Sequence, residues 1–249
     1  SHVLGLSDAG ALSLRLDGDG PSSGWRGGMD LSSSRWGSVT TAIALTFDEQ
    51  IAAEIAGVVV DSRLRPSSDQ EADGDREALF RLKARVLDGN LLVLDHFTAQ
   101  GEGLSLEADA RLDFESRTVE SRLTMTLSHL DALASAATEE LKGEGGLCAM
   151  VSGTLDAPRA HLSSNFRDLA AGGLGAAHVF THVEVEAASS AKVPKVEGWR
   201  ISADGRASGL KDSSGSPLPE SSLHWSLEAE IPAEGGTVLL KTLRLTGAH

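Results

Sequence analysis

Cysteine occurs once in 249 residues, tyrosine never, and proline seven times. The single Cys148 excludes an internal disulfide framework and any multi-cysteine metal site, though it leaves the cellular compartment open. Aromatic residues make up only 4% of the chain, which leaves little material for stacking on nucleobases. Positive charge is also short: Lys and Arg total 22 against 36 Asp and Glu, a formal charge of −14. A chain this acidic repels phosphate backbones, so nucleic acid is a poor partner. No stretch approaches the ~20 consecutive apolar residues of a membrane-crossing helix. No charged-then-apolar leader opens the chain, which begins at Ser1 and soon enters a strand pattern. That opening reads as an excerpt from a longer protein.

What is present in quantity is period-two alternation. Leu12, Leu14 and Leu16 alternate with Ser13, Arg15 and Asp17. Similar runs cover 39–47, 80–86, 104–114, 119–127, 147–155, 177–185, 223–231 and 239–245. Successive strand side chains point to opposite faces, so each run has one apolar and one polar face. This is the signature of antiparallel sheet wetted on one side. The run at 104–114 would extend roughly 33 Å, about twice an ordinary strand. Asp17-Gly18-Asp19-Gly20-Pro21, Asp88-Gly89-Asn90 and Gly101-Glu102-Gly103 mark turns between runs.

One helix is expected at 129–142, with Ser128 as cap, Asp131 three residues on, and Leu130, Leu133, Ala134, Ala137 and Leu141 on one face. Residues 166–175 read as a turn or half-helix. Three stretches read as loops: 61–78, 188–197 and 210–222. The fold expected is mainly β: a long, curled, antiparallel sheet forming an open groove, with one short helix near 129–142. Residues 1–249 form one continuous segment in this reading, with flexible insertions near 61–78 and 210–222. A closed sandwich with an ordinary core is the competing architecture.

Catalytic motifs are missing: no P-loop, no G-x-S-x-G elbow, no H-E-x-x-H. Asp17-x-Asp19 begins like a calcium loop, but Pro21 and Gly28 occupy ligand positions. His178 and His182 would share a helical face. On the strand that Val179, Val183 and Val185 predict, they are ~13 Å apart, too far for one ion. Glu139-Glu140 and Glu184/Glu186 are paired carboxylates without an enclosing aromatic site, and read as hydrated surface. Cys148 falls on the face opposite Leu147 and Val151, with no basic neighbour to activate it. The reading is therefore of no enzyme, with no catalytic residues, no metal ligands and no cofactor. The feature left over is the apolar face, too large for one helix to cover.

From residue 101 onward the order of segments is specific. A long strand (GLSLEADARLDF) leads to a second (VESRLTMTL), a short helix (HLDALASAATEELKG), and then GEGGLCAMVSGTLDAPRAHLSSNFRDL. This order resembles the TamB / AsmA-like family of periplasmic proteins in Gram-negative bacteria. Gly153-Thr154-Leu155-x-x-Pro158 is similar to that family's recurring G-T-x-x-x-P step, and Trp25-Arg26-Gly27-Gly28-Met29-Asp30-Leu31 to its short W-x-G strand. The likeness covers about a third of the chain well and the rest loosely. The family's membrane anchor and its partner-binding end are not in this sequence, and the insertions at 61–78 and 210–222 fit no family pattern.

The resemblance implies a curled sheet lined with apolar side chains, in a parent protein anchored to the inner membrane and spanning the periplasm. It implies phospholipid acyl chains as cargo, an outer-membrane barrel, TamA, as partner, and a link to outer-membrane protein assembly. The lipid-contacting residues would be Leu104, Leu106, Leu112, Phe114, Leu123, Met125, Leu127, Leu147, Val151, Leu155, Val179, Val183, Val185, Leu223, Trp225 and Leu227. Two other functions stay open. One is chaperone-like binding of nascent outer-membrane β-strands by strand addition. The other is a secreted acidic β-sandwich or solenoid that binds or processes glycans, against which the lack of Tyr counts.

Overall fold

The computed structural model describes residues 12–33, 37–48, 50, 51–60, 77–130, 141–189, 196–212, 214–232 and 238–248. Regular structure among them is all β. The strands are β1 (Leu12–Asp19), β2 (Gly24–Ser33), β3 (Gly37–Phe47), β4 (Ile51–Val60), β5 (Glu77–Leu87), β6 (Leu91–Gly101) and β7 (Leu104–Asp113). They continue as β8 (Thr118–Leu127), β9 (Lys142–Thr154), β10 (Ala157–Ala171), β11 (Leu174–Ser189), β12 (Val196–Lys211), β13 (Ser222–Pro232) and β14 (Leu239–Ala248). They lie in one sheet in chain order, and the order does not close into a barrel. The mainly-β, open antiparallel reading of the sequence is what the chain adopts. The chain forms two compact units, Ser1–Asp109 and Ala110–His249.

In the first unit each strand pairs antiparallel with the next, and the registers gather the apolar residues. One row runs Leu31, Val39, Val59, Ala78; the next, Ile43, Ile55, Leu82, Phe97; a third, Trp25, Leu45, Ala53, Ala84, Leu94. The strand β4 had no clean alternation in sequence, because Val58, Val59 and Val60 are contiguous. Its partners decide the face: Val59 meets Val39 and Ala78, while Val58 meets Thr40 and Leu79.

In the second unit the strands lengthen to 13, 15, 16 and 16 residues in β9 to β12. Two of these were not legible as strands from alternation, although the family resemblance places a short Ala-x-Leu strand after Pro158 in β10. In β10 the alternation Ala160, Leu162, Phe166 is broken by Ser164, and β12 alternates mostly small residues, Ala203, Gly205 and Ala207. Of the turn or half-helix expected at 166–175, the turn is present at Gly172-Gly173, and the rest is the end of β10 and the start of β11 rather than helix. A bulge at Asp168, whose φ is 50° to the nearest ten, shifts the register against β9 and hides the alternation. Gly172 and Gly173, both at positive φ, then form the two-residue hairpin between the paired Ala171 and Leu174.

The helix expected at 129–142 falls mostly on residues 131–140, which lie outside the described residues. Its described ends are not helical. Leu130 N donates to Gly143 O at 2.9 Å, thirteen residues away, and Lys142 already opens β9. The stretch 61–76 likewise lies outside the described residues, and Glu77 opens β5. In 210–222, Asp212 Oδ1 accepts hydrogen bonds from Ser214 N at 2.8 Å and Ser216 N at 3.0 Å. Leu218 N reaches back to Leu210 O at 2.9 Å, so this connection is held by its own bonds.

The core is thin. Among the described residues Val93, Leu127, Leu130, Ala207 and Ala229 are the buried apolar ones, and no described side chain is fully enclosed. A sandwich would bury a facing layer of large side chains. Here the apolar face of each unit is half-exposed instead.

Four aromatic rings lie flat on that face over glycines. Trp25 covers Gly18 and Gly27, Trp225 covers its cross-strand partner Gly205, Phe166 covers Gly145, and Phe80 covers Gly57. A β-carbon at Gly57 would sit 2.8 Å from the Phe80 ring, and one at Gly205 would collide with Trp225 and lie 2.6 Å from Phe180 O. Laid down in this way, bulky rings add apolar area without standing up from the sheet. Gly205→Val is expected to lift Trp225 into water and cost about 1–3 kcal/mol by overpacking. Urea unfolding would read the loss, and a red shift of indole emission, missing in a Trp225→Phe background, would read the lifted ring.

Candidate functional site

Eleven of the sixteen residues nominated from sequence are brought onto one face of the second unit by the registers of β8 to β13. One row across the strands reads Leu123, Ala149, Leu162, Val183, Ala203, Leu227, Leu243. The next reads Met125, Leu147, Ser164, Thr181, Gly205, Trp225, Leu245. Beyond it lie Leu127, Gly145, Phe166, Val179, Ala207 and Leu223. On the other flank are Val151, Ala160, Val185, Ile201 and Ala229. The central row carries the small residues Ser164, Thr181 and Gly205, and the Trp225 ring covers the last of these.

Leu104, Leu106 and Leu112 share one side of β7 by the strand's own alternation. Phe114 and Leu155 sit elsewhere. Phe114 follows the end of β7 in a turn closed by Asp113 Oδ1, which accepts from Glu115 N and Ser116 N, and Phe114 is 53% exposed. Leu155 lies in the two-residue turn between the paired Thr154 and Ala157, and is 40% exposed. These two turns are tied together at the sheet margin: Arg117 donates Nε to Asp156 Oδ2 at 3.1 Å and Nη2 to Asp156 Oδ1 at 2.6 Å. The sequence reading missed Leu162, Phe166, Ile201 and Leu243 as members of the face. Leu243 lies in the alternating run 239–245 and was legible, whereas Leu162, Phe166 and Ile201 are revealed only by pairing, since their strands are rich in Ser, Ala and Gly.

Most of the face is half-buried, and only its outer margin is well exposed, as at Leu243 and Leu245. Leu127 is the one large side chain of the face that is buried, 5% exposed beside Phe166 and the Gly145 backbone, together with the small residues Ala207 and Ala229. The opposite face is mostly polar, with Met150 and Phe180 among its exposed apolar members. Arg159, Glu186, Arg200 and Glu230 form a row of alternating charge across β10 to β13, with Lys241 at its end. Arg159 Nε lies 3.7 Å from Glu186 Oε1 and Arg200 Nε 3.9 Å from Glu230 Oε1. Such half-exposed pairs contribute modestly to stability but fix the pairing sense. Cys148 lies on this polar side between Thr124 and Ser163, opposite the face of Leu147 and Val151.

His178 and His182 do not converge, consistent with their strand spacing. Instead His182 meets Glu184 and, across the β10–β11 ladder, His161. Glu184 Oε1 lies 3.3 Å from His182 Nε2 and 3.4 Å from His161 Nδ1, and the two imidazoles stack with centroids 6.4 Å apart. The hydrogen bond from His182, and then the charge of His161, hold the Glu184 carboxyl below the ordinary glutamate value. Nothing in the sequence brought His161 to this pair; the spacing of 21 residues becomes a contact only through register.

No family model, curated protein or solved structure matches the chain.

Acid should loosen the charged row. The Lys241 hydrogen bond, with the charges of Lys241 and Arg200, holds the Glu230 carboxyl below its ordinary value of 4.5. A carboxyl depressed in the folded state contributes stability above its unfolded value and loses it as pH falls through the folded one. Urea midpoints should therefore fall below about pH 4.5, and part of that drop should vanish in Glu230→Gln.

Proposed function

We propose that this chain is a lipid-binding segment of a periplasmic conduit, in which phospholipid acyl chains lie along the apolar sheet face. The observation that carries the reading is the in-register apolar surface of β8 to β14, left half-open by any second layer among the described residues. A half-exposed leucine forgoes much of the roughly 1.5–3 kcal/mol that full burial would give. An acyl chain laid on the face recovers that loss at ~0.8 kcal/mol per methylene, less the cost of ordering the chain. Head groups can stay in water at the exposed margin, so no enclosed pocket is needed. Aliphatic side chains and flattened rings offer a floor without charges to trap the cargo. The likeness of segment order to TamB / AsmA-like proteins supports the same reading, including a parent anchored in the inner membrane, the barrel TamA as its outer-membrane partner, and a chain without catalysis.

A second reading draws on the margins. Among the described residues β1 and β14 each have one neighbouring strand, and both carry well-exposed leucines, Leu14 at 66% and Leu245 at 64%. Nascent outer-membrane strands could add there by backbone pairing. Photo-crosslinkers at Val183 and Leu227 against crosslinkers on β14 separate the two: lipid adducts on the face favour the conduit, and protein adducts at the edge favour the chaperone.

Charged substitutions at half-exposed face positions test the conduit directly. Leu147→Asp, Val183→Asp and Leu227→Asp are each expected to remove most lipid that co-purifies with the protein, measured by native mass spectrometry. Ser152→Asp, exposed on the polar face, should leave it unchanged. Leu127 is unsuited to this test because a charge there disrupts packing rather than cargo. Unchanged lipid in all three face variants would overturn the reading.

A further inference from the structure

The polar face holds one arrangement that lipid binding does not use. His161 on β10 is the direct cross-strand partner of Glu184 on β11, and His182 stands two residues from Glu184 on the same side. One nitrogen of each imidazole converges on Glu184 Oε1, and the three ligand atoms lie within 4.8 Å of one another. At 3.3 and 3.4 Å the two nitrogen–oxygen separations are long for good N–H···O bonds, which centre near ~2.9 Å. These long hydrogen bonds also have the length of a tetrahedron's edge: ligand bonds of about 2.0–2.1 Å place neighbouring donors about 3.3 Å apart. The imidazoles are about one-third exposed, so their rings can turn to close the third edge. Asp204, directly opposite His182 on β12, lies on the same face and within one strand spacing.

We propose that His161, His182 and Glu184 form a binding site for a divalent transition-metal ion of the zinc class. Two imidazoles and one carboxylate make the borderline-hard donor set that zinc takes, with the fourth position left to water or to Asp204. His161 binds through Nδ1 and His182 through Nε2, the nitrogens that already face Glu184. The ion bridges β10 and β11 and pins their register on the side opposite the apolar face. The site stands independently of lipid binding, since its residues are all on the polar side.

Titration of the untagged, EDTA-treated full chain with zinc chloride tests the proposal by calorimetry. One saturable equivalent is expected. His161→Ala, His182→Ala and Glu184→Gln should each weaken binding by about tenfold or more, as the loss of one ligand in three demands. His178→Ala and His224→Ala, on the same polar face, should bind as the native protein does. Because the substitutions could disturb the sheet, zinc is also added to the native protein under NMR. The ring protons of His161 and His182 should then shift while those of His178 and His224 do not. Absence of a saturable equivalent, equal binding in the double variant His161→Ala/His182→Ala, or ring shifts centred on other histidines would each overturn it.

Discussion

An antiparallel ladder has to satisfy its backbone and also hide one apolar face, and in this protein the ladder does the first without the second. Every strand from β8 to β14 pairs with its neighbour in a register that sends most of the large aliphatic residues to one side. A slip of one residue would turn the whole set outward. The register therefore fixes both where the apolar surface lies and how much of it stays open. Turns with positive φ, such as Gly172–Gly173, hold that register from the ends of the strands.

The open face is not a random greasy surface. Trp225 over Gly205, Phe166 over Gly145 and Phe80 over Gly57 place the largest side chains where a neighbouring residue has none. The pairing gives the rings a backbone to rest on and gives the glycines cover from water. It also explains how a chain with only 4% aromatics builds a broad apolar surface. Ordinary sheet domains stack such rings against a second layer; here they stack against their own sheet.

The polar face follows the same logic with opposite chemistry. Charges of alternating sign line up across β10 to β13, so that each carboxylate meets a guanidinium or ammonium group on a neighbouring strand. One row along, His161 and His182 meet Glu184 in place of a simple ion pair. Both faces are therefore products of lateral order: residues distant in sequence become neighbours in rows that run across the strands. Among the described residues β1 and β14 have one neighbouring strand each and carry leucines, and such an edge is the natural place for this order to be extended by another strand.

Alternation alone determined that the chain would be antiparallel sheet with one apolar side, because period two leaves no other regular structure for runs such as 104–113 and 118–127. It also placed Leu123, Met125, Leu147, Val183 and Leu227 on their proper side, since a strand's faces are set by its own pleat. It could not recognise β4, β10 or β12, where contiguous valines, a central serine or small residues blur the pattern, and at 166–175 it left turn and half-helix both open, because a bulge broke the period. Phe114 and Leu155 continued the alternation on paper but lie in turns, because strand ends are decided by pairing and capping. Which strands are neighbours, that no facing layer among the described residues buries the apolar side, and that His161 stands beside His182 and Glu184 were decided only by the tertiary structure. Cross-strand register is a property of two segments together, and neither segment's sequence contains it.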